Sequence, residues 1–112
     1  MAVEDITKLV ERLEVLEERM EVHLQSLYAG LRYYNDGSVD VVVRGELHPR
    51  NGTTLSHTLK LIVAAYDSSS KIVGHEDEII LAANFFAFGT FQIVVDVSTK
   101  QLTKIRIYPQ KF

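Results

Sequence analysis

The chain has 112 residues, a net charge of −3, 24% charged and 46% hydrophobic residues, values that suit one soluble globular domain with an appendage. It contains no cysteine, which excludes disulfides, thiolate metal sites and cysteine nucleophiles. Residues 1–28 carry seven acids against three bases and the rest eight against nine; neither part has the clustered Lys/Arg of a nucleic-acid footprint, so nucleic-acid binding is not expected.

The N-terminal stretch MAVEDITKLVERLEVLEERM has no basic n-region and no uninterrupted apolar h-region, so a signal peptide is not expected. No apolar run approaches the roughly 20 residues that span a bilayer. A cytoplasmic location and no membrane association are the expectations.

From Glu4 to about Tyr28 the pattern predicts a helix, rich in Glu, Leu, Arg and Met and free of Gly and Pro. Glu4 and Asp5 would sit at the favourable end of its dipole. Apolar residues fall at Ile6, Leu9, Leu13, Leu16, Met20 and Leu27, spaced 3-4-3-4 with His23 in the one missing place. That is a heptad pattern, and it predicts self-association as a dimer or trimer through these residues. In a parallel pair Arg12 and Glu17 would meet across the seam. Val10 and Leu24 widen the stripe beyond a strict seam, so packing of the helix on the protein's own sheet stays open. A buried His23 would resist protonation and make the association weaken at acidic pH.

From Ser38 onward the period changes to two. Val39, Val41 and Val43, then Leu47, predict a first strand, and His48 to Gly52 a turn. Leu55 to Tyr66 predicts a long second strand. Lys71 to Gly74 starts a third, and Ile79 to Ala83 a further one after an acidic bend at His75–Glu78. Phe91 to Val97 alternates cleanly, and Ile105 and Ile107 place a last strand before Pro109. Strands at this spacing without intervening helices predict an antiparallel sandwich. The division expected is a helix over residues 1–34 and a β-sandwich over residues 38–112; the alternative is an α+β roll with the helix packed on a single antiparallel sheet.

Val43-x-Gly45-x-Leu47, Leu61-x-Val63-x-Ala65-Tyr66-Asp67, Lys71-Ile72-Val73-Gly74, Phe88-x-x-Phe91-x-Ile93 and Lys104-Ile105-Arg106-Ile107-Tyr108-Pro109 together resemble the FxLYD-type immunoglobulin-like domains of bacteria. The likeness covers about residues 41–109. It implies a small immunoglobulin-like sandwich acting as an accessory or adhesive module without catalytic residues.

Three candidate chemistries are weak. Ser68-Ser69-Ser70 beside Asp67 has neither a Gly-x-Ser-x-Gly elbow nor a glycine to open a phosphate loop, so a turn fixed by Asp67, beside Tyr66, is expected instead. His75-Glu76-Asp77-Glu78 offers metal-ligand types, but a strand points neighbours to opposite faces. Asn35-Asp36-Gly37 lacks a calcium loop's ligand periodicity and reads as a helix-to-strand turn. Neither a metal nor another cofactor is expected. Asn84 to Phe91 is the most conspicuous segment: a strand there would put Phe86 and Phe88 on one face and Phe85 on the other, making Phe85, Phe86 and Phe88 a candidate contact patch. The function expected is a non-enzymatic structural or protein-interaction module that self-associates through its helix; the alternative is a binder of small apolar ligands with a cavity between helix and sheet.

Overall fold

The computed structural model describes all 112 residues, and β-strands dominate it. Eight strands occur: β1 (Ala2–Asp5), β2 (Val10–Arg12), β3 (Val22–Tyr33), β4 (Val39–Pro49), β5 (Leu59–Asp67), β6 (Ile72–Ile80), β7 (Gly89–Val97) and β8 (Leu102–Lys111). They form two four-stranded sheets, ordered β1-β3-β4-β7 and β2-β8-β5-β6. All pairings are antiparallel except the short β2–β8 pair. A single apolar core lies between the sheets, drawing on Val41, Val43, Ile93 and Val95 from one and on Leu61, Val63, Ile105 and Ile107 from the other. The mainly β, two-sheet expectation therefore holds.

The long N-terminal helix does not exist. Its place is taken by β1, a 3-10 turn at Thr7–Leu9, β2, one short helix α1 (Glu14–Arg19) and the first half of β3. The heptad residues are scattered accordingly. Ile6 is buried in the core, Leu9, Met20 and Leu27 pack on its margin, Leu13 caps the start of α1 and Leu16 lies within it, both half-buried. No helical seam remains for a coiled coil to use. Arg12 and Glu17 do meet, but within one chain rather than across two.

A β-bulge explains why the sequence misleads here. β3 slips by one residue against β4 between Gln25 and Tyr28, with Ser26 at φ 56°. Inward positions are Val22 and Leu24 before the slip, and Ala29 and Leu31 after it. An inserted residue reverses the parity of a strand's alternation. Leu24, Leu27 and Leu31 then fall at spacings of three and four, which mimic a helix, although all three lie on a strand. Helix propensity is a weak prior that tertiary pairing overrides.

Two other expectations shift. The acidic stretch His75–Glu78 is not a bend between strands but the middle of one continuous strand, β6. Residues 34–38 join strand to strand, with Asp36 Oδ1 accepting from the Ser38 N–H and hydroxyl at 2.9 and 2.6 Å. The strand order also departs from the immunoglobulin arrangement. With the split first strand counted as one, that order would put β3 and β4 in opposite sheets; here they form a hairpin within one.

The chain passes between the sheets five times, and two of these passages join outermost strands, one on each side of the molecule. On one side β1 runs through the Thr7–Leu9 turn directly into β2, crossing between the two outermost strands. On the other side β6 leads through residues 81–88 into β7, again between outermost strands.

Candidate interaction surface

The second crossing carries the exposed aromatics. Ala82–Asn84 forms a 3-10 turn, anchored where the Ala82 N–H donates to Thr58 Oγ1 at 3.1 Å. The turn sends Phe85 inward against the core. Ala87 then adopts φ 68°, and its N–H donates to the Thr53 carbonyl at 2.8 Å. A left-handed residue with a Cβ costs about 1–2 kcal/mol, so this bond holds the segment in a conformation it would not choose alone. The outcome is that Phe86 and Phe88 point outward, 72% and 50% exposed. They do not share a strand face as expected, because residues 85–88 lie outside any strand. Phe88 stacks on the His48 ring with centroids 5.1 Å apart, and His48 Nε2 lies 2.9 Å from Glu46 Oε1.

Beside this loop lies the end of β6. Ile79 and Leu81 are 46% and 51% exposed. Between β6 and β7 the sheets part, leaving a slot of about 220 Å³ lined by Leu47, Ile80, Phe85, Phe91 and the Glu78 stem. It opens into a shallower polar groove of about 570 Å³ that includes Arg44, Glu46, Glu78 and Gln92. Partial burial at this mouth pushes the Glu78 carboxyl above its ordinary range. At the other end the two strands close up: the Ser98 N–H donates to the Val73 carbonyl at 3.2 Å, and Gly74 lies so close to the Asp96 carbonyl that no Cβ would fit.

Elsewhere several charged side chains are engaged in pairs. Arg32 grips Asp40 with two bonds of 2.6 and 2.9 Å, and the Tyr34 hydroxyl donates to the same carboxylate at 2.8 Å. These bonds, the Arg32 one foremost, hold Asp40 below the usual carboxylate range. Glu17 is fully buried; its Oε1 accepts from Arg12 Nη2 at 2.6 Å and from the Leu24 N–H at 3.0 Å. Arg106 donates to Glu11 and lies over the Tyr66 ring. By contrast Glu76, Asp77 and Glu78 take part in none of the ion pairs.

The serine turn is architecture. Asp67 Oδ1 accepts from the N–H groups of Ser69 and Lys71 at 2.8 and 3.0 Å, and Ser70 sits at φ 60°. Thr103 Oγ1 donates to the Asp67 carbonyl and ties the turn to β8. His23 and His48 face each other across β3 and β4, and no group of three or more metal-ligating residues converges anywhere in the chain. No helix is long and apolar enough to cross a membrane. No protein-family model, curated protein or solved structure matches this chain.

The sequence signal for this surface was the density of phenylalanines. What it lacked was any sign that the acids of β6 and the apolar slot lie side by side.

Proposed function

We propose that this chain is a non-enzymatic protein-interaction module whose contact surface is the crossing between β6 and β7. The observation that carries this is the exposure of Phe86 and Phe88 on the loop from β6 to β7, a loop that Leu81, also exposed, opens. Burying one such side chain is worth about 1.5–3 kcal/mol, and contiguous apolar surface left open on a monomer marks contact sites. A strained Ala87 backbone maintains that exposure rather than relieving it. The turn adds support for a non-enzymatic role, since the Asp67 carboxylate that could have served the serines is taken up by the Ser69 and Lys71 N–H groups.

Self-association through a helical seam has no place in this proposal; a second copy is only a rival occupant of the same surface. Kinship with the FxLYD-type modules and a cytoplasmic setting also belong to the proposal, the former on the Tyr66-Asp67 hairpin. Selection of random peptides on the intact chain tests the main claim. Converging sequences should bind at least tenfold more weakly to a Phe86→Ser/Phe88→Ser variant of unchanged melting temperature. A selection without convergence, or undiminished binding to the variant, sinks it.

A small apolar ligand is the second reading. A hollow of about 380 Å³ lies between α1 and β8, lined by Leu16, Met20 and Tyr108 together with Arg19 and Lys111. That volume falls within the roughly 300–1,000 Å³ that drug-sized ligands fill. Reproducible stabilisation by an apolar-ligand screen, abolished by Leu16→Asp, would favour it over the first.

A further inference from the structure

The free edge of β6 adds a specific acceptor to that surface. β6 pairs with β5 alone, and between its last six residues and β7 there is no backbone hydrogen bond. The Asp77 N–H is taken by its neighbour's side chain, Glu76 Oε1, at 3.1 Å. This bond places the Asp77 N–H on the edge facing away from β5. Alternation along the strand puts the backbone groups of His75 and Ile79 on the same edge. Val73 agrees with this parity, because its carbonyl accepts from Ser98 outside the sheet. Three residues thus present N–H and C=O groups in a row with no strand beyond them, the Asp77 N–H being held only by the Glu76 side chain, an arrangement that an added strand completes.

Side chains on that edge define what could be added. Glu76 and Glu78 pair with Val63 and Leu61, so they share the inward row with Ile80, which pairs with Leu59. An added strand would set alternate residues beside Ile80, Glu78 and Glu76 in turn. Next to Ile80 lies the slot formed with Leu47, Phe85 and Phe91; at about 220 Å³ it suits one large side chain better than a whole drug-sized ligand. Beside the two glutamates the complement is cationic. A Lys or Arg there would draw Glu76 off the Asp77 N–H and restore to Glu78 the solvation that the mouth removes.

We propose that the β6 edge from His75 to Ile79 binds an extended, basic segment of a partner protein, with one large apolar residue in the slot and Lys/Arg beside Glu78 and Glu76. The proposal rests on the interaction-module reading and supplies its partner class. A second copy of this chain fits less well: antiparallel self-pairing about the middle of β6 sets Glu76 against Glu76, and like charges directly opposite are destabilising. The same acids that discourage self-pairing select an oppositely charged strand.

The test uses the intact, isotope-labelled chain and the acetylated peptide Thr-Phe-Val-Lys-Thr-Lys-Thr, whose Phe and two Lys fall on alternate positions. Amide shifts should concentrate in residues 75–81 and 89–92, with exchange of the His75, Asp77 and Ile79 amides slowed. A peptide with Glu in place of Lys should bind at least tenfold more weakly, and so should Glu78→Lys with the original peptide. Asp77→Pro removes an N–H that the β5 ladder does not use, so it should abolish binding while the β5–β6 amides stay protected. If Asp77→Pro does not fold, Glu78→Lys decides the matter. Undiminished binding by these variants, equal binding of the Glu peptide, or no shifts at millimolar peptide would overturn the proposal. So would protection of the same amides without peptide in step with a doubled mass, which would make a second copy the occupant. Binding that survives Asp77→Pro but is lost in Phe86→Ser/Phe88→Ser would reject the edge and keep the interaction module.

Discussion

The two crossings that join outermost strands of the two sheets are built to opposite ends. At the β1–β2 crossing Ile6 is 4% exposed, its N–H donates to the Ala29 carbonyl at 2.9 Å, and α1 lays the buried Glu17 against β3. At the β6–β7 crossing Phe86 is 72% exposed, three acids stand without ion-pair partners, and a slot opens into the core. Both crossings join outermost strands, so topology alone does not demand the difference. A closed side holds the sheets together, and an open one leaves an edge to which something else can be added. Stability should therefore be concentrated in the first and tolerance to substitution in the second.

The comparison is broken most directly at Glu17. Glu17→Ala removes the acceptor of the Leu24 N–H and leaves Arg12, 31% exposed at its side chain, without its partner. The unsatisfied buried Leu24 N–H costs about 1–3 kcal/mol and the space left by the side chain about 2 kcal/mol more, and urea denaturation should show the combined loss. A cost under about 1 kcal/mol would mean that α1 does not seal this side. Next, Ile6→Ala should cost about 2–5 kcal/mol as a large-to-small core change, whereas Phe86→Ser should stay within about 0.5 kcal/mol as a surface change. Equal melting temperatures for the two variants would erase the contrast.

Two carboxylates sharpen the comparison through pH. Asp40, away from the mouth, has its folded pKa lowered from 3.8 by Arg32 and Tyr34, so its stabilisation is present above the unfolded value and is lost as pH falls through the folded one. Glu78, at the mouth, has its folded pKa raised from 4.5 by desolvation; the fold then holds the proton more tightly than the unfolded chain, and stability falls as pH rises through that window. Asp40→Asn should flatten the acid limb of the stability profile, and Glu78→Gln should raise stability slightly at pH 7. The opposite sign at either site, read from urea midpoints across pH 2–7, would refute that assignment. The smallest effect is expected at Ala87→Gly: relief of about 1 kcal/mol of left-handed strain is offset by a backbone entropy of about 0.5–1 kcal/mol. The melting temperature should barely move, while a drop of several degrees would show that Ala87 is unstrained.

How legible each side was depended on whether the chain kept a single period. β4 and β7 keep one inward parity from Val39 to Leu47 and from Phe91 to Val97, broken only by the outward Val42 and Val94, and both are readable as strands. At β3 the bulge after Gln25 shifts the inward residues from even to odd numbers, so a helical spacing stood where a strand lies. Gly45 belongs to the same correction. A Cβ there would come within 2.7 Å of the Phe91 ring and 2.8 Å of Leu27, so the glycine makes room for the bulged strand's leucine. At the mouth, Phe86 and Phe88 are conspicuous from composition alone, but the acids of β6 have the sequence pattern of a solvated bend. Nothing local tells an edge strand's acids from a turn's, because both are solvated.

The sequence by itself determined a mainly β chain without cysteine chemistry, the alternating strands and the Tyr66-Asp67 turn, because side-chain period and turn preference are local properties. Tertiary structure alone decided that residues 1–34 enter the sheets, since their fate turned on pairing β3 with β4 and burying Glu17 rather than on propensity. It also decided which strand was left with a free edge. That depends on the order of strands across a sheet, a relation between residues distant in the chain that no local pattern encodes.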